Sequence, residues 1–345
     1  MKKYEVVIVG GGPGGLRCAE ILAKNNKKVL VLEKKEVCGD KVCAGGLTLK
    51  DFDLKIPNNI IQRKFKKAIV HTPSQKVEIK LDKPFVATID RKDLGKWMLK
   101  QSVESGANVK FDSKVTEISR NKLVINNKEK IKFKYLIGAD GSQSIVRKYL
   151  GLQTNNFLQA FQYISPIKIK DIQLFVDPEK FGPAYLWIFP YKNSVSIGTG
   201  GDLSKKIKQP ALGVKISEIR KNFDEWCMKR IEINNSQFQS FIINYDYQGH
   251  DFGNKFLIGD AGGFASGLTG EGIFNAIMSG EDVANKIIFK KSTYPLIKQI
   301  IGKKRFEEIV LRNIEINKKI TRMEEEIFVY LLKLKWIDEL VLENL

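Results

Sequence analysis

Two kinds of apolar pattern alternate along the chain, and the changes from one to the other lay out its domains. Residues 4–9 form an apolar run, which predicts a parallel strand buried on both faces. After Gly10–Gly15, apolar positions at Leu16, Ala19, Ile21, Leu22 and Ala23 take helical spacing from about Gly14 to Lys24, and Asn25-Asn26 ends the helix. Val29-Leu30-Val31-Leu32 reads as a second buried strand, so the chain opens as a βαβ unit. Residues 36–48 read as a loop rich in Cys and Gly. Asp90 caps a helix over 91–105, with Leu94, Trp97, Met98 and Val103 recurring at helical spacing. Short strands are predicted near 107–111, 114–118, 122–126 and 130–138, and a Gly/Asp/Ser turn at 138–144 closes this half.

From about 150 to 250 the texture changes. Alternating or apolar runs at 157–164, 172–176, 184–190 and 194–200, punctuated by Pro166, Pro178, Pro183 and Pro190, predict an antiparallel sheet interrupted by a helix near 214–230. Phe256-Leu257-Ile258-Gly259 is one more buried strand, followed by Gly-rich residues 259–272 and a helix to about 289. Residues 293–345 are helical in pattern. Because a nucleotide-type opening and a second strand–glycine turn–helix bracket the β region, the expected fold is α/β. A Rossmann-like domain spans 1–150 and 250–290, an antiparallel β-sheet substrate domain is inserted at 151–249, and a helical region covers 291–345.

Composition narrows the function classes. The 345 residues are 43% hydrophobic and 28% charged, which excludes a mainly disordered chain. The net charge of +19 invites an anionic partner. However, 48 of the 58 basic residues are dispersed Lys, in a sequence also crowded with Ile and Asn, and an AT-rich genome would produce that bias without selection for binding. Specific nucleic-acid readers lean on Arg forks, so nucleic acid is not the expected partner. Four scattered cysteines do not make a secreted disulfide scaffold. Met1-Lys2-Lys3-Tyr4 runs straight into a strand, with no signal-peptide pattern, and no window carries 18 apolar residues. A cytoplasmic protein is expected, or one peripheral on the cytoplasmic membrane face.

The chemistry begins at Gly10-Gly11-Gly12-Pro13-Gly14-Gly15, which fits G-x-G-x-x-G between a strand and a helix. Gly10 allows the tight turn, Gly12 lets backbone approach a pyrophosphate, and Gly15 lets the helix pack closely. The helix N-terminus then faces the phosphate. Glu33 ends the second strand where a carboxylate accepts from ribose hydroxyls. Together these predict a dinucleotide. Later motifs favour FAD over NAD: Gly138-Ala139-Asp140-Gly141-Ser142 after a strand, Gly259-Asp260-Ala261-Gly262-Gly263, and Gly270-Glu271-Gly272-Ile273 opening a helix. A strand ending in Gly-Asp can place one carboxylate on a ribityl hydroxyl. The next helix N-terminus can face a flavin pyrophosphate or the anionic edge of a reduced ring.

In this order the three motifs resemble the FAD-binding oxidoreductases of the para-hydroxybenzoate hydroxylase type, which lack a second Rossmann unit for the nicotinamide. Two further motifs narrow the resemblance. Gly39-Asp40-Lys41-Val42-Cys43-Ala44-Gly45-Gly46-Leu47-Thr48 is similar to the Lys-x-Cys-Gly-Gly-Gly loop of the geranylgeranyl reductase family. Tyr185-Leu186-Trp187-Ile188-Phe189-Pro190 is similar to that family's Tyr-x-Trp-x-Phe-Pro, with Gly198 at a fitting distance. The resemblance covers roughly residues 4–285. It departs at Ala44, where Gly is commoner, and in a short region after 290, which bears on the length of any lipid tunnel.

The resemblance implies a flavoenzyme that saturates C=C bonds of isoprenoid chains, with a polyprenyl or geranylgeranyl lipid as substrate and NAD(P)H or a ferredoxin as transient electron donor. Carried over position by position, FAD contacts fall at Gly10, Gly12, Pro13, Gly14, Gly15, Glu33, Lys34, Ala44, Gly46, Arg91, the backbone near Val115, Asp260, Gly270, Gly272 and Ile273. Catalytic roles fall to Cys43, Trp187 and Tyr185. Strand alternation puts Tyr185, Trp187 and Phe189 on one face, where they line a site or fill the core.

The glycines after Cys43 suggest backbone pressed against a ligand. An ordinary thiol is protonated at neutral pH, so Cys43 is read as a proton donor, with redox relay and packing as alternatives. A dithiol of Cys43 with Cys38 is a weaker alternative, and Cys18 and Cys227 read as structural. Arg147 reads as either a binding residue or a surface pair. His71 and His250 lack ligand spacing, so no metal is expected. The amphipathic C-terminal region reads as core or partner contact, with membrane-surface contact as the sharper alternative. Rival functions are a flavin monooxygenase of an aromatic or lipid-like substrate, and a non-catalytic or electron-relay flavoprotein.

Overall fold

The structure, a computed structural model, describes residues 1–203, 214–291, 293–314 and 318–332. It opens with β1 (Lys2–Val9), α1 (Pro13–Lys24) and β2 (Val29–Leu32). Next come β3 (Gly46–Leu47), α2 (Leu49–Phe52), β4 (Ile61–Phe65), β5 (Lys67–His71), β6 (Lys76–Lys80) and β7 (Val86–Ile89). They lead into α3 (Arg91–Glu104), β8 (Asn108–Lys110), β9 (Val115–Ile118), β10 (Lys122–Ile125), β11 (Glu129–Gly138) and α4 (Ile145–Tyr149). The β-rich stretch holds β12 (Phe157–Ser165), β13 (Ile172–Val176), α5 (Pro178–Phe181), β14 (Tyr185–Pro190), β15 (Val195–Asp202), α6 (Ile216–Met228) and β16 (Gln237–Asn244). The chain continues through β17 (Lys255–Leu257), α7 (Gly259–Gly262), α8 (Ile273–Phe289), α9 (Pro295–Ile314) and α10 (Lys318–Leu331). Among the described residues no helix is long and apolar enough to cross a membrane.

Two compact units result. The first comprises residues 1–41, 91–157 and 243–306, and the second 42–90, 158–242 and the chain from 307. This division corrects the expected boundaries, which left 42–90 in the nucleotide domain and set the C-terminal helices apart. The physical reason lies in strand pairing: β5 runs parallel to β13, Ala68 opposite Ile172 and His71 opposite Phe175. That pairing draws 42–90 into the sheet of the second unit. Within the same unit, Val329 and Leu332 pack into a core with Phe65, Val70, Val77 and Ile79.

In the first unit a seven-stranded sheet runs β8-β2-β1-β11-β10-β9, with β17 also on β11. Strands β8, β2, β1, β11 and β17 are parallel. Val9 stands beside Leu32 on one side and Gly138 on the other, and Gly138 stands beside Leu257. The carboxyl ends of four strands therefore share one edge, so Gly10, Glu33, Ala139 and Ile258 all leave the sheet together. Such an edge is where open α/β sheets bind ligands. On one face α1 crosses α8 so closely that a Cβ on Gly14 would lie 2.5 Å from the Ala276 carbonyl oxygen, and one on Gly280 would lie 2.3 Å from that of Gly14. Ile8, Leu22, Val283, Ile287, Ile297 and Ile300 fill the core on that side.

The second unit is built on the sheet β16-β12-β15-β14-β13-β5-β6 and a small sheet β3-β7-β4. Apart from the β5–β13 contact, the pairings along β12–β15–β14–β13 are antiparallel, as the alternating runs predict. Helix α6 lays Ile219, Phe223 and Cys227 against Phe161, Leu186 and Ile197. The short strands β4 to β7 are not among the strands predicted from the sequence, yet β6 alternates strictly between exposed Lys or Glu and buried Val77 and Ile79.

Candidate active site

The first unit assembles the nucleotide turn. Gly10 has φ +105°, and a Cβ there would lie 2.3 Å from the Ala139 carbonyl oxygen; one on Gly15 would lie 2.2 Å from that of Gly10. Both positions demand glycine. At Gly12 the nearest atom to such a Cβ is 3.8 Å away, so the backbone there is open to a ligand. Glu33 follows β2 directly and accepts from the Gly11 N–H at 2.7 Å and from the Lys35 N–H at 3.0 Å. Its carboxylate braces the turn from below. Lys34 is exposed and Val115 is buried in β9. Gly14 is buried against α8, so its own hydrogen atom answers to helix packing.

Cys38 lies beneath Gly11, where burial first and Glu33 second push its thiol up to about 12. All four cysteines are free. Gly39 takes φ +82° and packs against the Arg91 carbonyl at the start of α3. Arg91 Nε is buried with no hydrogen-bond partner, an orphan donor of the kind that points to an acceptor from outside the chain.

Asp260 follows β17 on the same sheet edge and is 9% exposed. Its Oδ2 accepts from Lys41 Nζ at 2.6 Å and from Ser142 Oγ at 3.1 Å, while Oδ1 faces the backbone of Gly272. The Asp260 carbonyl accepts from Asn244 Nδ2 at 2.7 Å, and Ser142 Oγ accepts from the Asn244 N–H at 3.0 Å. Gly270, with φ +72°, turns the chain into α8, whose N-terminus at Gly272 and Ile273 carries no side-chain cap. Sequence reasoning did not assign Lys41 or Ser142 to the site. Each lies inside a quoted motif, but their partner is more than 100 residues away.

Asp140 caps α4, accepting from Ser144 Oγ at 2.5 Å and the Ile145 N–H at 2.7 Å, and burial raises its carboxyl above the usual range. Arg147 is not a surface pair. It is 2% exposed, donates to the Asp246 carbonyl at 2.8 Å, and lies 3.6 Å from the Asp246 carboxylate. It is a buried clamp on the chain around Asp246.

In the second unit the Cys43 loop is fastened to the aromatic strand β14 and its neighbours. The partly buried Cys43 Sγ accepts from the Gly45 N–H at 3.4 Å. The Cys43 carbonyl accepts from Gln162 Nε2 at 3.3 Å, and the Ala44 carbonyl from the Tyr191 hydroxyl at 2.8 Å. A Cβ on Gly45 would lie 2.3 Å from the Tyr191 hydroxyl oxygen, and one on Gly46 would lie 2.7 Å from the Phe189 ring. These two glycines are therefore pressed against the protein's own aromatics, which by itself accounts for glycine at both positions. Tyr185, Trp187 and Phe189 form the ladder that alternation predicts, with successive ring centroids 6.3 and 6.4 Å apart. Trp187 is 8% exposed and donates from Nε1 to Ser196 Oγ at 2.9 Å. Gly198 faces it across the strands, and a Cβ there would lie 2.3 Å from the indole.

Comparison with known proteins matches this geometry. Residues 3–290 match the FAD binding domain family. An uncharacterized protein of Methanosarcina barkeri is 31% identical, with 92% of this chain and 82% of that one covered. Digeranylgeranylglycerophospholipid reductase 3 of Methanosphaera stadtmanae is 30% identical, with 81% of this chain and 76% of that one covered. The chain belongs to the geranylgeranyl reductase family of FAD-binding proteins. A geranylgeranyl bacteriochlorophyll reductase-like protein of Thermoplasma acidophilum shares the fold, with TM-score 0.77, 22% identity, and 96% of this chain and 92% of that one covered.

The residues of this reductase-family protein fit FAD on their own geometry. Gly12 leaves the backbone open, Glu33 sits at the end of β2, Arg91 Nε lacks a partner, and α8 begins with uncapped N–H groups. The nucleotide-turn residues, Lys41, Arg91 and Asp260 belong to the first unit. Cys43, Ala44, Gly46, Tyr185 and Trp187 belong to the second. Gln162, 1% exposed, is a residue of the second unit that sequence reasoning passed over, as it did Ser196 and Tyr191, since a lone Gln in a strand carries no local signal.

Proposed function

We propose that this protein reduces isolated C=C bonds in the isoprenoid chain of a geranylgeranyl-type lipid. The observation that carries the proposal is the fastening of the Cys43 loop to the Tyr185–Trp187–Phe189 strand through Gln162, Ser196 and Tyr191. It brings a partly buried thiol and an aromatic ladder into one packed unit. An isolated alkene is a poor hydride acceptor, so one carbon must be protonated as hydride reaches the other. FAD held there and reduced by NAD(P)H or a ferredoxin would supply that hydride. Cys43 holds the proton at Sγ. The faces of Trp187 and Tyr185 favour the carbon that becomes positive, as aromatic rings favour cations. Glu33, Arg91 and Asp260 orient the cofactor, and the lipid substrate brings the protein to the membrane surface as a peripheral visitor.

The test is anaerobic incubation of the dithionite-reduced protein with a geranylgeranyl lipid, followed by mass spectrometry. A gain of two hydrogens per bond supports reduction. Unchanged lipid, with oxygen uptake and a hydroxylated product in an aerobic NADPH arm, would replace the proposal with a monooxygenase.

A further inference from the structure

A chain of hydrogen bonds runs through the second unit with only one possible direction. Trp187 Nε1 lies 2.9 Å from Ser196 Oγ, and an indole N–H can donate but never accept. Ser196 therefore accepts there and donates its own proton to Gln162 Oε1 at 3.0 Å. With Oε1 accepting, the two N–H bonds of Gln162 point the other way, to Gln239 Oε1 at 2.8 Å and to the Cys43 carbonyl at 3.3 Å. The orientation of a glutamine amide is ordinarily ambiguous from heavy atoms, but here the Cys43 carbonyl, which can only accept, settles it. Ser196 is fully buried, Gln162 is 1% exposed, and every link is neutral. A reversed amide would set carbonyl against carbonyl at Cys43.

We propose that Gln162 is the positioning residue for Cys43: its carboxamide, locked by Trp187 through Ser196, fixes the Cys43 main chain and with it the place of the thiol. This inference rests on the proposed role of Cys43 only for its catalytic meaning. The link itself is a property of the fold. It also gives Trp187 a second duty besides its ring face, since the indole N–H acts on the thiol loop through two side chains.

The experiment reads the thiol rather than the turnover. Cys18, Cys38 and Cys227 are buried while Cys43 is partly exposed, so iodoacetamide labels Cys43 first, and peptide mass spectrometry gives its rate. Gln162→Glu keeps shape but, when ionised, turns the bond to the Cys43 carbonyl into repulsion. Relative to wild type at the same pH, its labelling rate is expected to differ by about tenfold at pH 8. The ratio should fall back toward one as acidification lets the carboxyl donate again. Trp187→Phe and Ser196→Ala, which leave Gln162 in place but unlock it, should shift the rate in the same direction by a smaller factor at every pH. These two variants carry the test if Gln162→Glu does not fold. A ratio of one in folded variants at all pH values would overturn the inference. Failure of the wild type to reduce any prenyl lipid would overturn the proposed function and leave the labelling result standing.

Discussion

Gly198→Ala should destabilise the second unit by about 3 kcal/mol, the upper part of the usual range for overpacking a core. The new Cβ would lie 2.3 Å from Trp187 Cζ2 and 2.6 Å from the Phe161 carbonyl oxygen, where ordinary contacts begin near 3.4 Å. Neither obstacle yields easily. The indole is held by its bond to Ser196 and flanked by Tyr185 and Phe189, and Phe161 is paired with Thr199 in the β12–β15 ladder. Trp187→Phe alone should cost about 1–2 kcal/mol, from the lost N–H bond and the smaller ring. Because the clashing atom belongs to the six-membered ring of the indole, the double variant should be less destabilised than the sum of the singles by at least about 1 kcal/mol. Urea unfolding of the four proteins, followed by circular dichroism, gives the cycle. Additivity within about 0.5 kcal/mol would refute the indole as the obstacle and leave the Phe161 carbonyl as the whole cause.

Asp260→Ala should weaken FAD binding by about tenfold to a hundredfold, because a ribityl hydroxyl loses its acceptor; flavin fluorescence titration measures it, and unchanged affinity would remove Asp260 from the cofactor site. Glu325 on α10 offers a pH prediction, since burial first, then Asp177 and Glu326, raise its carboxyl to about 7 and Oε2 has no hydrogen-bond partner. A raised carboxyl binds more protons folded than unfolded, so its contribution is full below about pH 4.5 and stability is lost as pH rises toward about 7. Glu325→Gln should therefore be more stable than wild type at pH 7.5 by about 1 kcal/mol, after allowance for solvent screening, and the gain should vanish near pH 4.5; a pH-independent difference in thermal unfolding would count against it.

Much of the first unit was legible because its parallel strands are buried on both faces. β1, β2 and β17 each announce themselves as apolar runs, and the Gly10–Gly15 turn leaves its mark in Gly10 and Gly15, where neighbouring backbone leaves no room for a side chain. The second unit was only half legible. The alternation in β14 and β15 is plain, but the pairing of β5 with β13 joins residues about 100 apart, and nothing local in Lys67–His71 names its partner. The same holds for the site. Lys41 meets Asp260 across 219 residues, and Gln162 meets Cys43 across 119. Gly45 and Gly46 show a further limit: crowding calls for glycine whether the neighbour is a ligand or, as here, Tyr191 and Phe189.

The role of Cys43 in alkene reduction is tested most directly by single turnover of a geranylgeranyl lipid on flavin already reduced with dithionite, comparing wild type with Cys43→Ser. A serine hydroxyl is nearly isosteric but a far weaker acid, and positioned proton transfer is typically worth about 10²–10⁴-fold. With Cys43 as proton donor, the variant binds and holds reduced FAD as wild type does, yet saturates the alkene slower by a factor in that range. Wild-type rates in the serine variant on dithionite-reduced flavin would contradict the proton-donor role. If the variant then failed only with the physiological donor, Cys43 would be an electron relay; if it matched wild type with both donors, Cys43 would be packing.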